Sequence, residues 1–405
     1  MTDRNENASR PNVVFVMMDD MGYGDMGCYG ADLIRTPTMD AIAKRGVRFT
    51  QMYSAPICTP ARAQLLTGQY AQRLGLGNVL FPHDTHGLPA GVATMGGVLR
   101  EAGYRTACIG KWHLGCRPEH FPTRHGFDYF YGLLYSNDMA PLRLYENETV
   151  VDEAPDQAFL TRNYTEQATR FIEASSEEPF LLYLAHTMPH IPLHVEERFR
   201  GVSKASLYGD TIECIDSYLA DLMKTLQRLD LLENTLVIVT SDNGPWFEGS
   251  TATLRGRKFE VFEGGVRMPF VAQWGNRIPP GSRCDSPAHL MDMVPTFARL
   301  AGGEVPPGLD GIDIADLMLG AAIESPDREF FYYFQTSLNA MRRGRWKLHV
   351  GSGHGEDGLR QRTTQEMPQL FDLAEDPGER YNLASRNTVL VDDMMARMTE
   401  FDQQL

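Results

Sequence analysis

Long apolar runs, each closed abruptly by polar residues, dominate the first two thirds of the chain. Asn12–Met18 ends at Asp19-Asp20. Pro179–Ala185 ends in a His/Pro-rich stretch, and Thr235–Thr240 ends at Ser241-Asp242-Asn243-Gly244. Runs of this length without alternation predict strands buried on both faces, as in a parallel sheet. Val47–Tyr53, Tyr104–Ile109 and Pro269–Trp274 predict further strands. Helical spacing of apolar positions predicts helices over Ala41–Arg45, Met95–Ala102, Gln157–Ser175, Leu207–Leu229 and Met291–Ala301. Strands alternating with helices predict an α/β layered domain over residues 1–324. Beyond Glu324 the pattern shortens. Phe330–Phe334, Leu338–Val350 and Leu370–Leu373 read as short strands and Leu390–Phe401 as a helix, which predicts a small antiparallel α+β subdomain over residues 325–405. The Gly/His-rich Gly351–Gly358 reads as a surface loop, and Met1–Arg10 as a disordered lead-in.

Charge narrows the function classes. The 405 residues carry 38 Lys+Arg against 53 Asp+Glu, a net −15, which disfavours nucleic acid and anionic membranes as partners. An anionic substrate would then need a local concentration of cations. The six cysteines include no C-x-x-C pair, so neither a disulfide framework nor a thiolate zinc site is expected. No apolar run approaches a membrane span. The first ten residues lack the apolar core of a signal peptide, which predicts a cytoplasmic protein as the chain stands, or a periplasmic or secreted one had a leader been trimmed.

Candidate chemistry gathers at the predicted strand ends, where open α/β sheets bind ligands. Asp19, Asp20, Asp242 and Asn243 would form an all-oxygen site suited to Ca²⁺ or Mg²⁺. The competing reading is that such residues only cap strands and begin turns. Lys111 and His113, in Gly110–Gly115, follow another strand, and His186, His190 and His194 follow a third. Each would be unremarkable alone, as an exposed lysine or a packed histidine. Leu254–Arg267 is a basic cluster in an acidic chain and contains Arg257 and Lys258. In Ser54–Gly68, Pro56 and Pro60 suit a loop and a first helical turn, and good helix formers follow from Ala61. Cys58 would therefore stand at a helix N-terminus, an anion-binding position, with Arg62 four residues on able to fold back toward it. The alternative is a small buried cysteine. Together these residues predict metal-assisted hydrolysis of a phosphate or sulfate ester. A thiolate nucleophile at Cys58 fits poorly beside a hard cation.

Cys58-Thr59-Pro60-Ala61-Arg62, continued by Leu65 and Thr67-Gly68, resembles the modification signature of the formylglycine-dependent (type I) sulfatases of the alkaline phosphatase superfamily. Ala61 stands where Ser is commoner. Asn12–Gly30, Gly110–Gly115, Pro189–Pro192, Ser241–Gly244 and Glu263–Arg267 match in family order, so the likeness spans nearly the whole chain. The Asp-Asp-x-Gly-Tyr-Gly-Asp run and the stretch Ala185–Leu193 look most like the arylsulfatase A and N-acetylgalactosamine sulfatase branch.

The resemblance implies an alkaline-phosphatase-like mixed, mostly parallel sheet between helix layers, with residues 1–324 as the catalytic domain. It implies that a formylglycine-generating enzyme oxidises Cys58 to formylglycine. One hydroxyl of the hydrated aldehyde would attack sulfur on Ca²⁺ (Mg²⁺ or Mn²⁺ being the other candidates), and the second would expel sulfate. By position, Asp19, Asp20, Asp242, Asn243 and the modified Cys58 would hold the metal. Arg62 would hold the formylglycine, and His113 would hydrogen-bond its hydroxyl. Lys111 and Lys258 would neutralise the sulfate, and His190 would protonate the leaving group. Arg257 and Phe259 replace the small residues usual beside Lys258, so Arg257 is a second candidate for that role. The implied substrate is an aryl or carbohydrate sulfate, on a small molecule or a glycan, with specificity set by Leu133–Arg143, Trp246–Arg257 and the C-terminal subdomain. Two alternatives stay open: a phosphodiester or phosphonate monoester hydrolase of the same superfamily, and an unmodified sulfoglycan-binding protein.

Overall fold

A computed structural model describes residues 10–324, 328–351 and 367–405. The lead-in before Arg10, the junction at 325–327 and nearly all of Gly351–Gly358 lie outside the described residues. In chain order the strands are β1 (Asn12–Met18), β2 (Val47–Tyr53), β3 (Arg105–Lys111), β4 (Tyr129–Leu133), β5 (Leu144–Glu146), β6 (Thr149–Asp152), β7 (Phe180–Ala185), β8 (Thr235–Ser241), β9 (Arg267–Gln273), β10 (Ser282–Cys284) and β11 (Ala288–His289). They form one sheet in the order β10-β2-β9-β8-β1-β7-β3-β4-β5-β6, with β11 beside β2. At its centre β8, β1, β7, β3 and β4 run parallel, Val14 facing both Val237 and Leu182. The sheet is mixed because β9 runs antiparallel to both β8 and β2.

Alternation within β1 explains its unbroken apolar sequence. Val13, Phe15 and Met17 enter one core, while Val14, Val16 and Met18 enter the other. Helices cover both faces. On the first lie α2 (Cys58–Thr67), α3 (Met95–Glu101) and α7 (Met293–Ala301); on the second lie α1 (Pro37–Arg45), α4 (Leu160–Ala174) and α5 (Ser206–Arg228). Each buried Leu, Ile or Phe contributes about 1.5–3 kcal/mol, so a strand apolar on both faces anchors the layers twice. A short helix, α6 (Glu263–Val266), leads into β9, and α8 (Ala315–Met318) follows α7. No helix among the described residues is long and apolar enough to cross a membrane.

Strand β3 runs two residues further than its apolar pattern predicts and includes Lys111. Gly110 explains the extension. Its φ is +113°, and a Cβ there would lie 1.8 Å from the Ala185 carbonyl oxygen on β7. Only glycine lets the strands stay paired while the chain turns Lys111 inward. The hairpin β5–β6 occupies short, largely exposed sequence without a strand signal, whereas β4 is an aromatic run that the sequence reading does not single out. Toward the C-terminus, β12 (Glu329–Phe334), β13 (Ser337–Arg343), β14 (Trp346–His349) and β15 (Gln369–Asp372) form an antiparallel sheet in sequence order. Against it packs α9 (Thr388–Asp402) through Val391, Met394, Met398 and Phe401.

Candidate active site

Because β1, β3, β7 and β8 are parallel, the polar residues after them all emerge at one sheet edge. Asp19 and Asp20 follow β1, Asp242 and Asn243 follow β8, His190 follows β7, and Lys111 and His113 end and follow β3. The N-terminus of α2 meets the same edge, with Cys58 as its first residue. Asp20 adopts a left-handed φ of 66°, unusual for a residue with a Cβ, and donates its amide to Asp242 Oδ1 at 3.2 Å. Asp19, Asp20, Asp242, Asn243, Arg62, Lys111, His113 and Cys58 are all at most 2% exposed. One donor atom each from Asp19, Asp20, Cys58 and His190 lies within 4.8 Å of the others.

Every charge here has a partner. Lys111 Nζ contacts Asp19 Oδ2 and lies 3.1 Å from Ser136 Oγ. Lys258 Nζ donates to Asp20 Oδ2 at 2.7 Å, and His190 Nε2 lies 3.6 Å from the same oxygen. Arg62 donates to Asp242 Oδ2 at 2.8 Å and to the Lys111 carbonyl at 2.8 Å, and lies 3.5 Å from Asp19 Oδ2. Its contacts are thus with the carboxylates around Cys58 rather than with the thiol. Burial opposes ionisation of Asp19, but Lys111, His190, Arg62 and Lys258 outweigh it and hold the carboxyl well below the usual range. For Asp242 burial and the neighbouring Asp19 win over Arg62, pushing it up to about 7.

Burial, reinforced by Asp19, raises the Cys58 thiol far above its ordinary value. Its Sγ–H donates to Asp19 Oδ1 at 3.4 Å. His113 is pushed well down by burial and the adjacent Lys111, so its ring is neutral. Its Nε2 lies 3.0 Å from the Leu80 carbonyl, which assigns the proton to Nε2, and its buried Nδ1 has no partner. His190 Nδ1 faces the Ile191 carbonyl, leaving Nε2 toward the carboxylates. Burial, then Lys258, lowers this ring as well.

The donor set fits a hard divalent cation. Oxygens dominate, and the buried Asn243 Oδ1 has no partner while its Nδ2 donates to Asp20 Oδ1 at 2.6 Å. Lys111 and Lys258 place ammonium groups on the carboxylates that such an ion would share.

Several sequence readings change here. His186 is buried beside the Tyr164 ring, 6.4 Å between centroids, and takes no part in the cluster. Arg257 donates to the Trp246 carbonyl and lies 4.8 Å over the Phe247 ring, so Lys258 alone of that pair reaches the carboxylates. Ser136 escaped the sequence reading because it follows β4, a strand that reading does not single out, and a lone serine after it carries no signal of its own. An aromatic chain leads outward from Lys258: its Nζ lies 5.6 Å from the Phe259 ring, Phe259 meets Trp246 at 5.7 Å, and Trp246 meets the exposed Phe247 at 5.0 Å.

Comparison with known proteins agrees with this geometry. Residues 11–303 match the family model described as Sulfatase, and residues 325–405 match the C-terminal region of aryl-sulfatase. The chain is 36% identical to arylsulfatase A of Homo sapiens, covering 93% of this chain and 84% of that protein. It is 34% identical to N-acetylgalactosamine-6-sulfatase of Canis lupus familiaris, covering 97% and 85%. The crystal structure of Ps i-CgsB in complex with k-i-k-neocarrahexaose superposes with a TM-score of 0.86 at 27% identity, covering 97% of this chain and 93% of that one.

Proposed function

The chain belongs to the sulfatase family and hydrolyses sulfate esters, and we propose that it does so through a formylglycine made from Cys58 beside a divalent metal, most simply Ca²⁺. The observation that carries this reading is the buried Cys58, its Sγ 3.4 Å from Asp19 Oδ1 and grouped with the donor atoms of Asp19, Asp20 and His190. A soft sulfur is a poor match for a hard cation. An aldehyde hydrate at the same carbon would offer oxygen instead. Asp19, Asp20, Asp242 and Asn243 would hold the cation, which supplies Lewis acidity at the point of attack.

The remaining roles follow from the contacts. Lys111 and Lys258 already converge on this centre, and both would turn from carboxylate to sulfate oxygens when substrate arrives. Arg62 fixes Asp242 and the Lys111 backbone, and so the frame around the nucleophile. His113 Nδ1, a lone pair with no partner, would accept a proton from the hydrate. His190 Nε2 is turned toward Asp20 by the Nδ1 contact with the Ile191 carbonyl. It would first have to take up a proton, which burial and Lys258 oppose and Asp20 and Asp19 favour, and would then give it to the leaving oxygen. The aromatic chain from Phe259 to Phe247 would present ring faces to a sugar or aryl leaving group. The carbohydrate in the Ps i-CgsB complex supports the sugar arm.

Mass spectrometry of the tryptic peptide Phe49–Arg62 from protein made in its own host tests the conversion: an aldehyde mass in place of the thiol is expected, and a wholly intact thiol in active protein overturns it. Cys58→Ala should abolish release of sulfate from an aryl sulfate. Faster turnover of an aryl phosphodiester than of the sulfate would favour the phosphodiesterase reading instead.

A further inference from the structure

The segment that carries Lys258 is a loop with a closed neck. Gly264 N donates to the Arg255 carbonyl at 2.6 Å, so the chain leaves and returns at one point while Lys258 projects from between. Within the loop, Arg257 N bonds Glu260 Oε2 at 3.0 Å, and Phe259 N bonds the Pro56 carbonyl at 2.9 Å, two residues before Cys58. The neck is held from outside by one residue of the C-terminal region. Glu379 follows β15, is fully buried, and touches both sides. Its carbonyl accepts from Arg255 Nη1 at 3.0 Å, and its Oε2 accepts from the Glu263 amide at 2.6 Å. Its Oε1 is fixed in turn by His349 at 2.6 Å and Lys347 at 3.3 Å, and Lys347 also bonds Glu263 Oε1 at 2.8 Å.

Such a grip is costly unless complete, because each of these groups is removed from water. Here both oxygens of Glu379 are used, and both point at the loop or at the residues behind it. Lys258 has four rotatable bonds and would otherwise sample many positions. A cation that must meet a sulfate within hydrogen-bond distance gains affinity when its backbone is already in place.

We propose that Glu379 is a positioning residue for Lys258, setting substrate affinity from the C-terminal sheet without touching substrate. This rests on the reading of Lys258 as a sulfate-holding cation. Removing the Glu379 side chain frees the Glu263 amide and leaves Lys347 and His349 to rearrange, so the neck loosens and Lys258 loses register.

The test uses the full-length purified enzyme, with KM and kcat on an aryl sulfate and the inhibition constant of inorganic sulfate. Sulfate inhibition reports the anion site without chemistry. Glu379→Ala is expected to raise KM and the sulfate constant about tenfold with a smaller change in kcat. Glu379→Gln, which keeps an acceptor for the Glu263 amide, should recover most of the loss. In a Lys258→Ala background, Glu379→Ala should add nothing. Should Glu379→Ala fail to fold, Arg255→Met opens the same neck from the other side and should raise the sulfate constant several-fold. Equal losses from Glu379→Ala with and without Lys258, or an unchanged sulfate constant in both neck variants, overturn the proposal. If Lys258→Ala itself leaves KM and the sulfate constant unchanged, the role given to Lys258 falls first.

Discussion

At the scale of single residues, the two histidines present opposite nitrogens. His113 gives Nε2–H to a carbonyl and keeps Nδ1 bare. His190 places Nδ1 on a carbonyl and turns Nε2 toward Asp20, whose charge favours the protonated ring that the proposed acid role needs. If His190 is the proposed acid, replacing it by Ala should lower kcat by about 10²–10⁴ on a sugar sulfate, whose leaving alkoxide needs a proton. A nitrophenyl sulfate leaves unaided and should lose much less. The kcat ratio of the two substrates in wild type and variant measures this, and equal losses would remove His190 from the acid role. The residues that bear charge at strand ends were legible in sequence because two pairs, Asp-Asp and Asp-Asn, each close a very apolar run, which a shared site explains better than two unrelated turn starts. Ser136 and the Leu80 carbonyl were not legible. One follows a strand that the sequence reading does not single out, and the other acts through its backbone, which no side chain announces.

Among elements, the central strands and long helices were legible from periodicity, since burial on both faces of a sheet demands unbroken apolar residues. The outer β5–β6 hairpin was not, because its strands are three and four residues long and largely exposed, so they carry no run of buried apolar positions. Asp216 shows how elements are joined by less than apolar packing. From the middle of α5 its carboxylate accepts from the Thr38 and Met39 amides at the N-terminus of α1, at 3.0 and 2.9 Å. Burial nonetheless raises its pKa from 3.8 to about 6. The folded state therefore binds the proton more tightly than the unfolded one between about pH 4 and 6. Its contribution to stability is greatest at low pH and falls as pH rises through that window. Asp216→Asn removes the titration, so thermal unfolding should find the variant faring better against wild type at pH 7 than at pH 5. A difference in melting temperature that is flat across that range would contradict it.

For the molecule as a whole, two sheets share one buried ionic cluster. Lys347 stands between Glu263 of the large sheet's approach and Glu379 of the C-terminal region, all three without solvent exposure. Lys347→Met leaves two carboxylates facing each other in the interior and should cost about 3–5 kcal/mol in a urea unfolding curve. A loss below ~1 kcal/mol would show that water reaches the cluster. The parallel centre of the large sheet also sets an order in time. All ten residues of α2 are buried, and Arg62 is locked to Asp242 across 180 residues of chain. At roughly 5–20 residues per second of synthesis, the Asp242 that locks Arg62 does not exist until about 10–40 s after the helix that carries Cys58 has been made. If Cys58 is the precursor proposed above, a modifying enzyme would have that interval to reach it before the fold buries it. Maturation of the nucleophile would then be a race that the length of the intervening chain decides, with the fold itself as its stopwatch.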